Sequence, residues 1–373
     1  MSSIDYLKHA SKIFYKRNVF PEQVTLFVTN KCNASCKHCF AWKELNNPAI
    51  KDLSIDELDK ISSTMDEFIY LLIGGGEPFL REDIAEIIKV FYKNNNVLNV
   101  AISTNGTFPQ RIINQVRRVL EFYGNNLTIN ISFDGVGGIH DEIRGGKGIF
   151  EQAVTTHNAL KELKHEFSNL NVGIIMTCMP FNQASLKQTY IWLKENLNPS
   201  SIVINFMRGD IKEQEDSCSP IDISYYNEIS KMIEEDNLLR KVTGHHNFFL
   251  SNFNIASKTI MRETVSKTVE QDRFQTQCYA GLLNCVISND GTVFPCEMLD
   301  KDLGNLRKSG YDFKSVWFSQ KADEVRKYIK DSKCYCTEEC NINMNILFNP
   351  KLLPRLLAKA LKAKATSFLR RRK

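Results

Sequence analysis

Short apolar runs alternate with longer helical segments over the first 210 residues of this chain. The six runs are rich in β-branched residues, as buried strands are, and they lie at 24–28, 69–73, 98–102, 127–131, 172–176 and 202–206. The segments with helical periodicity lie at 54–68, 81–94, 108–123, 150–167 and 183–196. Strands that alternate with helices form βαβ units around a parallel sheet. The pattern therefore predicts an α/β fold, a partial (β/α)6 barrel of the TIM type over residues 21–210.

The composition is that of an ordinary globular protein, with 43% hydrophobic and 24% charged residues in a length of 373. Residues 1–20 form a predicted N-terminal helix that carries charged and polar residues throughout, unlike a signal peptide. No stretch reaches the ~18 uncharged apolar residues that would predict a membrane span. We therefore expect a cytoplasmic protein, in which clusters drawn from its 11 cysteines are metal or catalytic sites rather than disulfides.

Three cysteines, Cys32, Cys36 and Cys39, follow the first predicted strand with the spacing C-x3-C-x2-C. Structural zinc sites take four ligands, and cubane iron–sulfur clusters normally take four cysteines. Three cysteines with no fourth nearby therefore indicate a cluster that leaves one iron open for a ligand other than protein. The alternatives are three unrelated buried thiols, or a Cys3His zinc site completed by His38, whose place beside Cys39 makes that geometry awkward.

Glycine-rich or polar residues follow the next strands, at the edge of a parallel sheet where ligands bind. The second strand runs into Gly74-Gly75-Gly76-Glu77-Pro78, whose glycines expose peptide groups to a close ligand. The other candidate site residues are short polar side chains and one arginine: Ser103, Asn105, Ser132, Asp134 and Arg144. Each of these alone is also compatible with a turn, a helix cap or a solvated side chain. Residues 207–210, after the sixth strand, are a candidate place for polar groups of a substrate.

The cysteine spacing and the glycine-rich strand end together resemble the signature of the radical S-adenosylmethionine (SAM) enzymes. The resemblance implies that Cys32, Cys36 and Cys39 hold a catalytic [4Fe–4S] cluster whose open iron chelates the amino and carboxylate groups of SAM. An electron, expected from a flavodoxin- or ferredoxin-type donor, then cleaves SAM to a 5′-deoxyadenosyl radical that abstracts a hydrogen atom from substrate. His38 is a departure, because the family usually has an aromatic residue at that position.

The same resemblance implies where SAM is held. The backbone and acid of residues 74–78 match the GGEP motif, which contacts the amino group of SAM. Arg144 resembles the arginine that often pairs with the SAM carboxylate, for which a bidentate guanidinium fork is well suited. The implied contacts with SAM or substrate from the polar strand ends are Ser103, Asn105, Ser132 and Asp134.

A second group of six cysteines lies between residues 278 and 340. Its members are Cys278, Cys285, Cys296, Cys334, Cys336 and Cys340. Residues 286–296 between them are predicted to form a β-hairpin with an Asn-Asp-Gly turn, followed by a cysteine after proline. Cysteines at this density predict a metal site, and zinc is the alternative to iron–sulfur.

The spacing Cys278-x12-Gly291-x4-Cys296 resembles the SPASM/twitch extension of many radical SAM enzymes. It implies a small α+β auxiliary-cluster domain over residues 278–349, reached through a predicted helical linker region at 211–277. The full pattern holds two clusters, but six thiolates are too few for two all-cysteine cubanes, so we predict one auxiliary [4Fe–4S] cluster. The predicted ligands are Cys278, Cys296 and Cys340, with the fourth among Cys285, Cys334 and Cys336.

The C-terminal residues 350–373 carry nine lysines and arginines and no acid, while the rest of the chain is net negative. Leucines recur on one side of this predicted helix, with the cations largely opposite. A basic amphipathic helix suits an anionic membrane surface, at about 1 kcal/mol per cation near the lipid, so contact with the inner face of the membrane is expected. Docking of the helix on the acidic body and binding of RNA are the alternatives, although nucleic acid is not the expected partner.

The sequence thus predicts a radical SAM enzyme with an auxiliary cluster. Its predicted substrate is a sugar, a cyclitol or a lipid-linked small molecule, on account of the basic tail and the single auxiliary cluster. A peptide- or protein-modifying maturase is the alternative. An iron–sulfur electron carrier is a further alternative, which leaves the glycine-rich and polar strand ends unexplained.

Overall fold

A computed structural model describes residues 8, 9, 11, 13, 19–213, 220–239 and 248–370, so most of the predicted helix over 1–20 lies outside the described residues. The first six strands are β1 (Gln23–Thr29), β2 (Tyr70–Gly75), β3 (Asn99–Thr104), β4 (Asn126–Ser132), β5 (Leu170–Cys178) and β6 (Ser201–Phe206). They run parallel in chain order, each paired with the next. This arrangement confirms the predicted α/β partial barrel.

Six helices connect these strands. They are α1 (Ile55–Ser63), α2 (Ile84–Asn95), α3 (Pro109–Leu120), α4 (Gly138–Arg144), α5 (Ile149–Glu166) and α6 (Leu186–Leu197). Helix α1 begins with a reciprocal cap, in which Ser54 Oγ accepts from the Glu57 amide and Glu57 Oε2 accepts from the Ser54 amide. One hydrophobic core runs between the helices and the sheet, where the side chains of Ile112 and Val116 from α3 are fully buried.

The sheet continues past β1 into the second cysteine region. Strand β7 (Asn284–Ile287) pairs parallel with β1, and β8 (Thr292–Phe294) and β9 (Gly304–Asn305) follow antiparallel. The predicted hairpin is therefore present, with its turn between β7 and β8. Because β7 extends the barrel sheet, β1 has the barrel on one side and the hairpin on the other.

Helices form the remainder of the described chain. They are α7 (Ile223–Leu238), α8 (Phe248–Gln271), α9 (Phe313–Trp317), α10 (Gln320–Asp331), α11 (Glu339–Leu347) and α12 (Leu353–Arg370). Helix α7 packs on β6, while α8 contacts α7, α11 and α12. The predicted linker region is thus a packed helical layer that joins the barrel to the C-terminal elements.

The basic tail helix α12 has two distinct apolar faces. Leu356 and Ala363 are buried on the side that packs against α8, where Arg355 and Lys359 both pair with Glu263. A second set of leucines, spaced four residues apart, stays exposed: Leu353, Leu357 and Leu361. The helix therefore docks on the body, as the sequence alternative proposed, and still presents an apolar stripe to solvent. Within the described ranges, no helix has the length and apolar character needed to cross a membrane.

An ion pair joins the barrel to the hairpin side of the sheet. Arg307, which follows β9, donates from Nε and Nη2 to the two carboxylate oxygens of Glu57 on α1, at 2.7 and 2.9 Å. Tyr311 adds a third hydrogen bond to Glu57 Oε1 at 3.1 Å. The Arg307 guanidinium is the main reason that the pKa of Glu57 falls to about 2.

Replacing Glu57 with glutamine should lower the free energy of unfolding by ~1–2 kcal/mol at pH 7, because two charge-assisted hydrogen bonds are lost. The folded-state pKa of Glu57 lies below its ordinary value of 4.5, so its stabilisation is present above that value and is lost as the pH falls toward about 2. Thermal unfolding midpoints of the two proteins should therefore converge as the pH is lowered from 7. The matched control is Glu82→Gln, at an exposed carboxylate, which should change little. A difference between the two unfolding midpoints that stays constant with pH would contradict the prediction.

Candidate active site

The first cysteine group lies in the loop that follows β1, at the carboxyl end of the sheet. Cys32, Cys36 and Cys39 are all partly buried, and the Cys39 amide donates to the Cys36 carbonyl in a turn. Burial raises the pKa of Cys32 to about 12, and the neighbouring thiols of Cys36 and Cys39 add to the rise. Three such thiolates need a positive centre beside them, which an iron–sulfur cluster supplies.

The glycine-rich end of β2 holds the start of this loop by backbone contacts. The Gly76 amide donates to the Thr29 carbonyl and the Glu77 amide donates to the Lys31 carbonyl, each at 2.8 Å. A Cβ atom on Gly76 would overlap the carbonyl oxygen of Lys31, so only glycine allows this approach. Gly74 differs, because a Cβ there would meet only the Phe27 ring, at 3.7 Å.

The buried carboxylate of Glu77 ties the ends of β2 and β3 together. Its Oε1 accepts from the Phe79 amide at 3.1 Å and from Thr104 Oγ1 at 2.8 Å, and its Oε2 accepts from the Asn105 amide at 2.7 Å. Burial raises the pKa of Glu77, although these hydrogen bonds oppose the rise. In this structure Glu77 therefore organises the strand ends around the site.

Asn33 links the cysteine loop to the end of β3. Its Oδ1 accepts from Asn105 Nδ2 at 2.9 Å, and its Nδ2 donates to Thr107 Oγ1 at 2.8 Å. Sequence reasoning missed Asn33, although its place between the first two cysteines was the available signal. Of the predicted hydroxyls, Ser103 is exposed and Ser132 is half-buried at the ends of β3 and β4.

Arg144, the last residue of α4, holds the cysteine loop from the opposite side. Its guanidinium lies 2.5 Å from Asp134 Oδ2 and 3.7 Å from Cys36 Sγ. Its backbone carbonyl accepts from the Ser35 amide at 3.0 Å, and the Ile143 carbonyl accepts from the Lys37 amide at 2.9 Å. Only 8% of Arg144 is exposed, which rejects the alternative of a solvated arginine.

His38 faces Asp134 rather than a metal position. Its Nε2 lies 3.7 Å from Asp134 Oδ2, and burial lowers the pKa of His38 to about 4. Within the described residues, no three His, Cys, Asp or Glu side chains converge as ligands of a single ion would. A cubane binds each thiolate at a separate iron, so it does not require the three sulfur atoms to meet at one ion as zinc does.

In the second cysteine group, four thiols influence one another. Burial raises the pKa of Cys278 to about 11 and that of Cys296 to about 12, with further contributions from Cys334 on Cys278 and from Cys278 on Cys296. Burial also raises the pKa of Cys336, and the thiols of Cys278 and Cys296 add to that rise. Cys278, Cys296 and Cys336 therefore lie near one another, and Cys334 lies near Cys278.

The other two cysteines have different surroundings. Cys285 is fully buried in β7 opposite Val24 of β1, and burial alone raises its pKa, although it lines a small cavity together with Cys296. The pKa of Cys340 is raised by burial and then by the carboxylates of Glu338 and Glu297.

A buried ionic cluster lies between the two cysteine groups. Arg208, just after β6, pairs with Glu339 at 2.9 Å and Glu297 at 3.0 Å, and lies 3.8 Å from Glu338. Glu297 directly follows Cys296. Residues 207–210 stay a predicted place for polar groups of a substrate, and the structure shows that Arg208 joins the barrel to the auxiliary region.

Residues next to both cysteine groups also meet directly. Gly209 lies against Phe40, the residue after Cys39, and near Met298, two residues after Cys296. The loop after β6 bonds to the cysteine loop as well, through the Glu213 amide and the Lys37 carbonyl at 3.0 Å. Residues beside the two cysteine groups are thus in contact with the loop that follows β6.

Two protein-family models match this chain, and each match contains one of the two cysteine groups. Residues 26–193 match the model of the radical SAM superfamily, and residues 278–341 match that of an iron–sulfur cluster-binding domain, SPASM. The chain belongs to the radical SAM superfamily. As a radical SAM enzyme, it uses SAM with a [4Fe–4S] cluster, and its SPASM domain binds auxiliary iron–sulfur. This assignment replaces the alternative of an electron carrier.

Relatives of this radical SAM enzyme have different products. The chain is 27% identical to an AdoMet-dependent heme synthase of Oleidesulfovibrio alaskensis, and the match covers 84% of this chain and 79% of the relative. It is 24% identical to AlbA, the antilisterial bacteriocin subtilosin biosynthesis protein of Bacillus subtilis, over 86% of this chain and 66% of the relative. The solved structure of anSMEcpe with bound AdoMet and Cp18Cys peptide has a TM-score of 0.56 at 18% identity, over 91% of this chain and 99% of that one.

Proposed function

We propose that this radical SAM enzyme modifies a peptide or protein by removing a hydrogen atom from one of its C–H bonds. The observation that carries the proposal is its similarity, over most of the chain, to a bacteriocin biosynthesis protein, with the fold of a peptide-bound enzyme in support. The comparisons therefore favour the alternative in the sequence prediction over a sugar, a cyclitol or a lipid-linked substrate.

In this proposal the residues around the first cysteine group divide into ligands and supports. Cys32, Cys36 and Cys39 hold the cluster, which together with SAM supplies the 5′-deoxyadenosyl radical. Glu77 and Arg144 position the loop that carries these cysteines, since their contacts in the structure are with the protein itself. The proposed contacts with SAM are at the ends of β2, β3 and β4, from the half-buried glycine backbone of 74–76 and from Ser103 and Ser132. Asn105 and Asp134 are bonded within the protein, as Glu77 and Arg144 are, and are proposed to support these strand ends.

The auxiliary region is proposed to hold one [4Fe–4S] cluster on Cys278, Cys296, Cys334 and Cys336. The mutual influence of these four thiols supports this set. Cys340, which the sequence interpretation preferred as a ligand, stands beside the Arg208 cluster instead. Cys285 is proposed to be a core thiol of β7.

Anaerobically reconstituted protein should contain about eight irons per chain, as two cubanes require. Cys336→Ala should reduce this to about four, because one ligand of the auxiliary cluster is lost. Cys340→Ala and Cys285→Ala are the matched controls and should keep about eight. Iron and sulfide analysis with electron paramagnetic resonance would measure this. Loss of four irons in either control, with Cys336→Ala unchanged, would reject the proposed ligand set.

The decisive experiment for the proposed function supplies SAM, an electron donor and peptide. With dithionite, or with a flavodoxin- or ferredoxin-type donor, the enzyme should form 5′-deoxyadenosine. A peptide encoded by a small neighbouring gene should raise that rate and change in mass. Formation of 5′-deoxyadenosine without any change in candidate peptides would refute the peptide substrate and leave the enzyme class intact.

A heme-type substrate is the second candidate, because the heme synthase relative is covered more fully than AlbA, at 79% against 66%. Incubating the same reaction with an iron porphyrin precursor tests it. A new heme product seen by absorbance and mass, with peptides unchanged, would establish this candidate in place of the first.

The exposed stripe of α12 is proposed to contact an anionic membrane surface, as the sequence predicted. Vesicles that contain phosphatidylserine should sediment the protein, whereas vesicles of phosphatidylcholine alone should not. A double variant with Leu357→Ser and Leu361→Ser should sediment with these vesicles at least several-fold less, because both leucines are exposed on the docked helix. Leu282→Ser, at an exposed leucine outside the tail, should have no effect. Equal sedimentation of all variants would reject the membrane contact.

A further inference from the structure

A groove between α7 and α8 contains a buried arginine that the proposed chemistry does not use. The groove has a volume of about 300 Å³ and is lined by polar side chains of both helices. Arg262 of α8 lines it and is only 7% exposed. Within the part of the chain that the structure describes, Arg262 makes neither a hydrogen bond nor an ion pair. Burial of an unpaired guanidinium is costly, so a bound anion is the natural partner of this side chain.

The lining of the groove also holds three carboxylates, none of which forms an ion pair with Arg262, although Glu234 raises its pKa from a distance. Glu263 is already paired with Arg355 and Lys359 of α12. Glu270 is exposed and accepts a hydrogen bond from Ser266 at 2.8 Å. The remaining charges in the lining are those of Lys231, Lys267 and Glu234. A carboxylate is the anion whose shape matches a guanidinium with two parallel hydrogen bonds.

The dimensions of the groove favour a chain segment over a small anion. Its lining on α8 runs from Thr259 to Glu270, which is roughly 16 Å along a helix axis. An extended peptide covers that length with roughly five residues. Ser230, which is buried beside Tyr226 of the same helix, adds a hydroxyl to the lining.

The helix that carries Arg262 also contacts the auxiliary region. Helix α8 packs on α11, and Cys340 lies in the first turn of α11. Glu339, the first residue of α11, pairs with Arg208 at the carboxyl end of β6. The groove therefore lies on a helix that packs directly against the auxiliary region.

We propose that the groove between α7 and α8 binds an acidic segment of the peptide substrate, with a carboxylate on Arg262, while a residue elsewhere in the same peptide enters the site. This inference rests on the proposed function, because it requires a peptide substrate. It adds a recognition surface outside the reaction centre. Acidic residues in the substrate are thus the feature that this enzyme selects.

The test uses the full-length reconstituted enzyme and a fluorescein-labelled hexaglutamate peptide, with anisotropy as the readout. The wild type should bind it and should not bind labelled hexaglutamine. Arg262→Gln should weaken binding at least tenfold, and Lys231→Glu, at an exposed position on the rim, should do so without disturbing the core. Lys327→Gln, at an exposed lysine of α10, is the matched control and should bind as the wild type does.

Three results would overturn the inference. Arg262→Gln and Lys231→Glu with unchanged affinity would place the peptide elsewhere. Loss of binding only when Lys362 and Lys364 are replaced with glutamine would place it on the tail. Free glutamate that competes as well as the peptide would make the groove a site for small anions. Anisotropy measures binding without turnover, so the two proposals can fail separately. If the Arg262→Gln enzyme binds as the wild type does and peptides are still modified, only this inference is rejected. If no peptide is modified by the wild type, the proposed function is rejected.

Discussion

Alanine in place of Gly76 should reduce the formation of 5′-deoxyadenosine roughly 100-fold or more, as a shift of about 1 Å in a catalytic loop can. The added Cβ would overlap the carbonyl oxygen of Lys31. That oxygen belongs to the backbone, so it cannot move aside as the end of a flexible side chain can. The loop that carries Cys32 must therefore move away from β2. The measurement is the rate of 5′-deoxyadenosine release with dithionite, on protein whose iron content has been determined.

Gly74→Ala is the matched control for this prediction. Its new methyl group would make an ordinary contact with the Phe27 ring at 3.7 Å, so the rate should stay near that of the wild type. If Gly76→Ala and Gly74→Ala lose activity equally, the loss comes from a general effect on β2 and not from the approach of the cysteine loop. If Gly76→Ala is fully active, the backbone support described for that loop is unnecessary.

Methionine in place of Arg144 should destabilise the fold by ~3–5 kcal/mol, because it leaves the buried carboxylate of Asp134 without its ionic partner. Burial by itself would raise the pKa of Asp134, and the Arg144 guanidinium is the largest of the groups that hold it below its ordinary value. The thermal unfolding midpoint of reconstituted protein should fall by at least about 5 °C.

Two comparisons make this prediction specific. Adding Asp134→Asn to Arg144→Met should restore part of the loss, since the unpaired charge is then removed. Arg117→Met breaks a bidentate ion pair with Glu166 at the protein surface. It should lower the free energy of unfolding much less than Arg144→Met does. An Arg144→Met protein as stable as Arg117→Met would show that the buried pair contributes little.

The parts of the site that the sequence predicted are local in the chain. Cys32, Cys36 and Cys39 and the glycines before Glu77 are each contained in one short segment, and the strand pattern placed both segments at the same edge of the sheet. The hairpin turn before Cys296 was predictable for the same reason, because a turn is encoded by the few residues that form it.

The parts that the sequence did not predict depend on residues far apart in the chain. Arg208 acquires Glu297 and Glu339 as partners only through the packing of the auxiliary region on β6. The spacing Cys334-x-Cys336-x3-Cys340 does not tell which thiols face Cys278, since that depends on where α11 begins. Likewise, the leucine pattern of α12 predicted an amphipathic helix, but which face docks depends on α8, against which Leu356 and Ala363 are buried and Arg355 and Lys359 pair with Glu263.

The pairing of β1 with both β2 and β7 has a consequence for how the two cysteine groups can move. Strand β1 leads directly to the first cysteine group, and its neighbour β7 leads through the hairpin to Cys296. The backbone segments that carry Cys32 and Cys296 are therefore anchored to one hydrogen-bonded sheet, in which the spacing of neighbouring strands is fixed. Displacing one segment relative to the other would require breaking the pairing of β1 with β7, so we expect neither segment to shift when a substrate enters or leaves.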